Sequence, residues 1–123
     1  MTMKQPKLDK KIKANWIKAL LSGDYKQGSA ALRNGNKKGG FCCLGVLADI
    51  NGILLNRKQG EYDDNWTCIK VGGNRTDLPN NLSFGLTRQT QAVLAEMNDG
   101  WDKGEKIKPK TFKQIAAWIR KNL

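Results

Sequence analysis

Phe41-Cys42-Cys43-Leu44-Gly45-Val46-Leu47-Ala48-Asp49-Ile50 is the most apolar window of the chain, and Asn51-Gly52 follows it directly. A run of this length fits a buried strand or a buried helix, and the Asn-Gly stop behind it favours the helix, because such residues adopt the left-handed turn that ends helices. Adjacent cysteines rarely pair with each other. Cys42 and Cys43, with Cys68 as an odd third, therefore predict core thiols in a reducing compartment instead of a disulfide framework. A three-thiolate zinc site lacks support, since the chain has no histidine and no Cys-x-x-Cys pair.

On the N-terminal side, Leu8, Ile12, Trp16, Ala19 and Leu20 recur at helical spacing with lysines between them, and Ser22-Gly23 ends the pattern. Asp24 to Arg33 is too broken for a helix and is expected to supply a short strand; Asn34 to Gly40 reads as a loop. On the C-terminal side, Ile53 to Pro79 is expected to form a small antiparallel sheet with loops, with Trp66 to Val71 strand-like in composition. Leu86, Val93, Leu94 and Met97 predict a helix from Arg88 to Asn98, with Thr87 as N-cap and Gly100 beyond its end. Trp101 to Lys110 reads as a basic, polar link. Thr111-Phe112-Lys113-Gln114 has the form of a capping box, and Phe112, Ile115, Ala116, Ile119 and Leu123 follow at helical steps. The fold class expected is α+β: a small antiparallel sheet packed with about four helices, in a single ligand-binding domain spanning residues 1–123.

The charge balance narrows function. The 22 basic and 11 acidic residues leave a net charge of +11, which implies long-range attraction to nucleic acid, nucleotides or acidic protein surfaces. No apolar run approaches the roughly 20 residues that span a bilayer, and the opening residues carry no apolar stretch of the kind an export signal needs. The expectation is a cytoplasmic protein without a membrane partner. Lacking histidine, the chain lacks the commonest general base. The densest acidic cluster, Asp63-Asp64 near Glu61, reads as a solvated turn. Gly35 to Gly40 and Val71 to Arg75 match neither a Walker loop nor a dinucleotide fingerprint. The chain therefore reads as a binder without catalytic residues, metal or cofactor.

The candidate binding residues are cations and rings. Only five arginines stand against seventeen lysines, and Arg33, Arg57, Arg75 and Arg120 lie beside turns or element ends, where guanidinium forks can grip phosphate. Trp16, Trp66, Phe84 and Trp101 offer faces on which a base could stack, although Trp16 and Trp118 also fit a core role on their helices. A helix-turn-helix reading of the last two helices fails on spacing. A DNA-reading pair is joined by about three or four residues, whereas Asp99 to Lys110 is twelve residues long.

Trp16-Ile17-Lys18-Ala19-Leu20-Leu21-Ser22-Gly23, Tyr25-Lys26-Gln27-Gly28, Phe41 to Asp49, Met97-Asn98-Asp99 and Phe112-Lys113-Gln114-Ile115-Ala116 together resemble a family of small phage and prophage proteins. Within that group the chain looks most like the anti-Thoeris sponge proteins, which sequester a cyclic ADP-ribose signal and so block host defence. The resemblance implies a homo-oligomer with pockets between subunits, aromatic stacking on adenine and arginines on the two phosphates. The residues it points to are Trp16, Arg57, Phe84, Asn98, Asp99 and Arg120; Arg33 and Arg75 join them from the arginine argument. No complete pocket motif aligns, and lysine stands near the C-terminus where arginine is expected.

The function expected is thus a phage immune-evasion protein that sequesters a nucleotide-derived signal without hydrolysing it, in the host cytoplasm. Two alternatives stand beside it: a basic accessory protein that binds nucleic acid through phosphates, and an inhibitor that docks on a host defence protein.

Overall fold

The computed structural model describes residues 8–28, 32–33, 40–52, 54–56, 70–72, 78 and 83–123. The apolar window forms a helix, α1 and α2 being Lys10–Leu21 and Cys43–Ile50. Every residue from Cys42 to Ala48 is buried. A helix that is apolar all round belongs in the middle of a core, and α2 sits there, packed against α1 on one side and against α3, Arg88–Asp99, on another. The last helix, α4 (Phe112–Asn122), packs on both α1 and α3.

The ends of these helices follow from local chemistry. Asp9 caps α1 by accepting from the amides of Lys11 and Ile12 at 3.0 and 3.1 Å. Thr87 caps α3 through the Thr90 amide, and Gly100, with φ +85, closes it in the left-handed conformation that glycine tolerates. Thr111 and Gln114 form the reciprocal capping box that starts α4. The Cys42 sulfur caps α2, accepting from the Gly45 amide at 3.4 Å.

The core gathers Trp16, Ile17 and Leu20 from α1, Leu94 from α3, and Phe112, Ile115, Ala116 and Ile119 from α4 around α2, with Leu32, Leu78 and Leu86 from the connections. Each fully buried Leu or Ile in this set contributes about 1.5–3 kcal/mol. One contact is too close for any side chain. A Cβ on Gly45 would fall 1.8 Å from the Leu32 carbonyl oxygen, so α2 reaches its seat only because residue 45 is glycine.

The fold class is α+β as expected, and four helices are present among the described residues. Three local expectations are corrected. Among its described residues, 24–28 and 32–33, the stretch from Asp24 to Arg33 supplies two isolated bridges, Gln27 and Arg33 each to Phe41, in place of a strand. In the middle third, β1 (Leu54–Asn56) and β2 (Lys70–Gly72) pair in parallel, not antiparallel; a parallel ladder forms when the chain crosses back before its second strand, which turn-rich composition does not reveal. Trp66 to Ile69 lie outside the described residues. The antiparallel pair is instead β3 (Trp101–Asp102) with β4 (Glu105–Lys106), inside the segment that read as a plain link.

Candidate functional site

The polar centre of the fold is Asn98, 1% exposed. Its Oδ1 accepts from the Cys43 amide at 3.2 Å and from Gln27 Nε2 at 3.3 Å. Its Nδ2 donates to the Gly28 carbonyl at 2.7 Å and to Asp99 at 3.0 Å. Gln27 continues the network, donating to the Lys110 carbonyl at 2.7 Å and accepting from the Phe112 amide at 3.0 Å. Asn98 thus ties the starts of α2 and α4 to α3. A buried amide with donors and acceptors all engaged has nothing left for a ligand, so Asn98 acts here as a scaffold residue.

Trp16 is corrected in the same way. Its ring is fully buried and its indole N–H donates to the Cys43 carbonyl at 2.9 Å; no base stacks on a sealed ring. Phe84 is partly buried and packs against the core. Arg33 is exposed, with its guanidinium carbon 5.4 Å from the centre of the Phe41 ring, and Phe41 meets Tyr25 edge to face at 5.1 Å. Tyr25 donates to the Asp49 carboxylate. Partial burial, that hydrogen bond and the charges of Asp49 and Asp24 together push the Tyr25 hydroxyl up to about 12. Asp99 is half-buried beside Asn98. Arg57 and Arg75 lie outside the described residues.

Arg120 stands on a different feature. It borders an open groove of about 580 Å3 whose other lining residues are Ala14, Ile17, Lys18, Leu21 and Ser22 of α1 and its cap. The Arg120 carbonyl accepts from Lys13 Nζ at 3.5 Å, which stitches α4 to α1. Lys10, Lys11, Lys13 and Lys18 fall within about 160° of arc on α1, at 100° per residue, with Lys10 on the stripe of Ala14, Ile17 and Leu21. Lys113 and Arg120 are two turns apart on α4 and share a stripe. Lys121 is a third cation on α4, about 100° round from Arg120, and neither helix contains a carboxylate.

A family model described as Domain of unknown function (DUF8296) matches residues 8–123. The chain belongs to that family. No curated protein and no solved structure matches it. The matched span holds every element described above, so α1, α4 and the groove between them are all part of the DUF8296 domain.

Cys42 and Cys43 of the DUF8296 domain are inert as placed, and Cys68 lies outside the described residues. Burial pushes Cys42 up to about 11, and burial together with the neighbouring Cys42 raises Cys43 well above the ordinary thiol range. Both stay protonated at neutral pH, and it is the thiolate that attacks or binds metal. Among the described residues no three His, Cys, Asp or Glu side chains come together as a metal site, and no helix is long and apolar enough to cross a membrane.

Sequence reading missed Gln27 and Tyr25 as placed residues. Gln27 meets Asn98 across 71 positions of chain, a separation that no periodicity reports. It also missed the pairing of the two carboxylate-free helices, although the absence of Asp and Glu from both was visible in the letters.

Proposed function

We propose that this chain is a binding protein for nucleic acid, holding phosphates on the cationic surface of the packed α1–α4 pair. The observation that carries the reading is that these two helices, in contact, bear seven basic and no acidic residues. A merely solvated surface mixes both signs. Here Lys10 and Lys11 even occupy the first turn of α1, where the helix dipole disfavours cations by about 0.3–1 kcal/mol, so local stability does not explain them. Counterion release gives the test. Affinity for random-sequence oligonucleotides, measured over a salt series, is expected to fall along a straight log–log line with a slope of about −0.9 per phosphate contacted on duplex. A flat salt response, or no binding at low salt, would sink the reading.

A second reading, sequestration of a nucleotide-derived signal of the cyclic ADP-ribose type, is favoured by the groove. Its volume of about 580 Å3 lies in the range of small-ligand sites, roughly 300–1,000 Å3. Ala14, Ile17 and Leu21 give it an apolar floor, and Lys18 and Arg120 give it two cations for phosphates. Titration calorimetry with cyclic ADP-ribose isomers and cyclic dinucleotides tests it: saturable heat abolished in Arg120→Ser supports sequestration, and silence across the panel removes it.

A further inference from the structure

The β3–β4 hairpin is built oddly for a connector. Its register places Trp101 opposite Lys106 and Asp102 opposite Glu105. Because side chains alternate across a strand, Trp101 and Lys106 share one face, and both acids share the other. Trp101 is 45% exposed, and every residue from Trp101 to Thr111 is exposed. A ring of that size normally adds to a core or an interface. Nor is the opposite face arranged for stability, since like charges directly across a ladder repel.

The hairpin is also held stiffly at its root. Lys103 and Gly104, with φ +50 and +81, form the two-residue turn whose twist matches the strands. The Ile107 amide donates to the Gly100 carbonyl at 2.7 Å, and the Lys110 amide to the Met97 carbonyl at 2.8 Å, fixing both strands to the end of α3. A Cβ on Gly100 would lie 2.5 Å from the Ile107 oxygen, so the crossing is tight. A rigid stem therefore presents one indole beside Lys106, with Lys103 in the turn and Lys108 and Lys110 following β4 in the chain.

Resting on the nucleic-acid reading above, we propose that this hairpin is a single-strand reader: an unpaired base stacks on Trp101 while Lys106 and its neighbouring lysines hold the flanking phosphates. The charge of the face selects the occupant. An aromatic plane beside a cation suits a base and its phosphate, and the acids on the reverse face turn a polyanion away from that side. Paired bases inside a duplex present no free plane to the indole, so the hairpin discriminates strand state and leaves duplex binding to α1 and α4.

The test uses the full chain with a labelled oligothymidylate and a duplex of equal length at one low salt concentration. Trp101→Ala is expected to weaken single-strand binding roughly 5- to 150-fold, equivalent to about 1–3 kcal/mol for one stacked base, and to leave duplex affinity unchanged. Trp101→Phe restores most of the loss, and quenching of indole fluorescence by the single strand shrinks in both variants. Trp101 is exposed, so folding is checked by circular dichroism and is expected to be intact. Single-strand affinity unchanged in Trp101→Ala, or lost equally on duplex, overturns the hairpin proposal while leaving the α1–α4 reading in place. A wild-type chain that binds neither probe overturns both.

Discussion

Asn98 Oδ1 lies 3.2 Å from the amide nitrogen of Cys43, so a side chain near the end of α3 caps the first turn of α2. The carbonyl of the same residue accepts from the Trp16 indole at 2.9 Å. Cys43 is therefore gripped through both backbone groups by α3 and α1, and the central helix is oriented as well as buried. Two residues whose chemistry suits a ligand pocket, an amide and an indole, are spent on positioning α2. Among the described residues, the cationic outside of α1 and α4 and the projecting hairpin stand open to a partner.

Replacing Asn98 by Leu leaves the Cys43 N–H and the Gly28 carbonyl without their partners. A buried orphan costs about 1–3 kcal/mol; the Cys43 N–H is buried and the Gly28 carbonyl partly so, so the variant is expected to lose about 2 kcal/mol or more of stability. Urea unfolding reads this as a lower midpoint at unchanged slope. Gln27→Ala is expected to lose less, since the Lys110 carbonyl it serves is on an exposed residue that water can reach and its bond to the Phe112 amide, at the start of α4, is only partly buried.

Gly45→Ala sets helix propensity against packing. Alanine is intrinsically favoured over glycine in a helix by about 1 kcal/mol, but the new Cβ would sit 1.8 Å from the Leu32 oxygen and 2.7 Å from its carbonyl carbon. Backbone cannot be compressed to that distance, so α2 must move off Leu32 and the variant unfolds at markedly lower temperature. Gly52→Ala is the comparison: nothing lies within 4 Å of its Cβ, and only the φ of +81 is strained, for a loss of about 1–2 kcal/mol. Thermal midpoints should rank Gly52→Ala well above Gly45→Ala.

The contrast between helices and the rest shows which physics is local. Helices α1, α3 and α4 were legible because caps and apolar spacing lie within a few residues of each other, as in Thr111 and Gln114. The hairpin was not, because Trp101-Asp102-Lys103-Gly104-Glu105-Lys106 buries no face and so shows no apolar alternation. The parallel register of Leu54 on Lys70 and the Gln27–Asn98 bond depend on chain segments far apart in sequence. Of the candidate site residues, Arg120 stands on the proposed surface. The core role of Trp16 is written in its helical spacing with Ile12 and Leu20, whereas Asn98 enters through the resemblance alone and its partners Gly28 and Cys43 are too far away in sequence to be read locally.

Alkaline pH is expected to loosen the fold from specific groups. Tyr25 is raised from 10.0 to about 12 and Cys42 from 9.0 to about 11. A group whose pKa is raised on folding gives stability that is complete below its unfolded value and is lost as pH climbs through the folded one. Stability should therefore hold through neutral pH as far as these groups are concerned and decline above about pH 9. In Tyr25→Phe the thermal midpoint should fall less steeply above pH 10 than in the wild type. Cys42 and Cys43 should resist iodoacetamide at neutral pH until denaturant is added; prompt alkylation of either in the folded chain would contradict their burial.

Lys10→Glu separates stability from binding on the proposed surface. The substitution puts a carboxylate in the first turn of α1, where the helix dipole favours it, and three residues before Lys13, where an opposite charge is a helix-surface neighbour. Stability should rise by about 0.3–1 kcal/mol in low salt. The same change reverses one cation on the stripe of Ala14, Ile17 and Leu21 that lines the groove, so affinity for duplex should fall and the salt slope should shrink by about 0.9. Denaturation and salt-titrated binding on the same preparation read both effects. A variant that is more stable and binds less well fits a lysine kept for its partner, whereas one that is more stable and binds equally well places the phosphate contacts away from the start of α1.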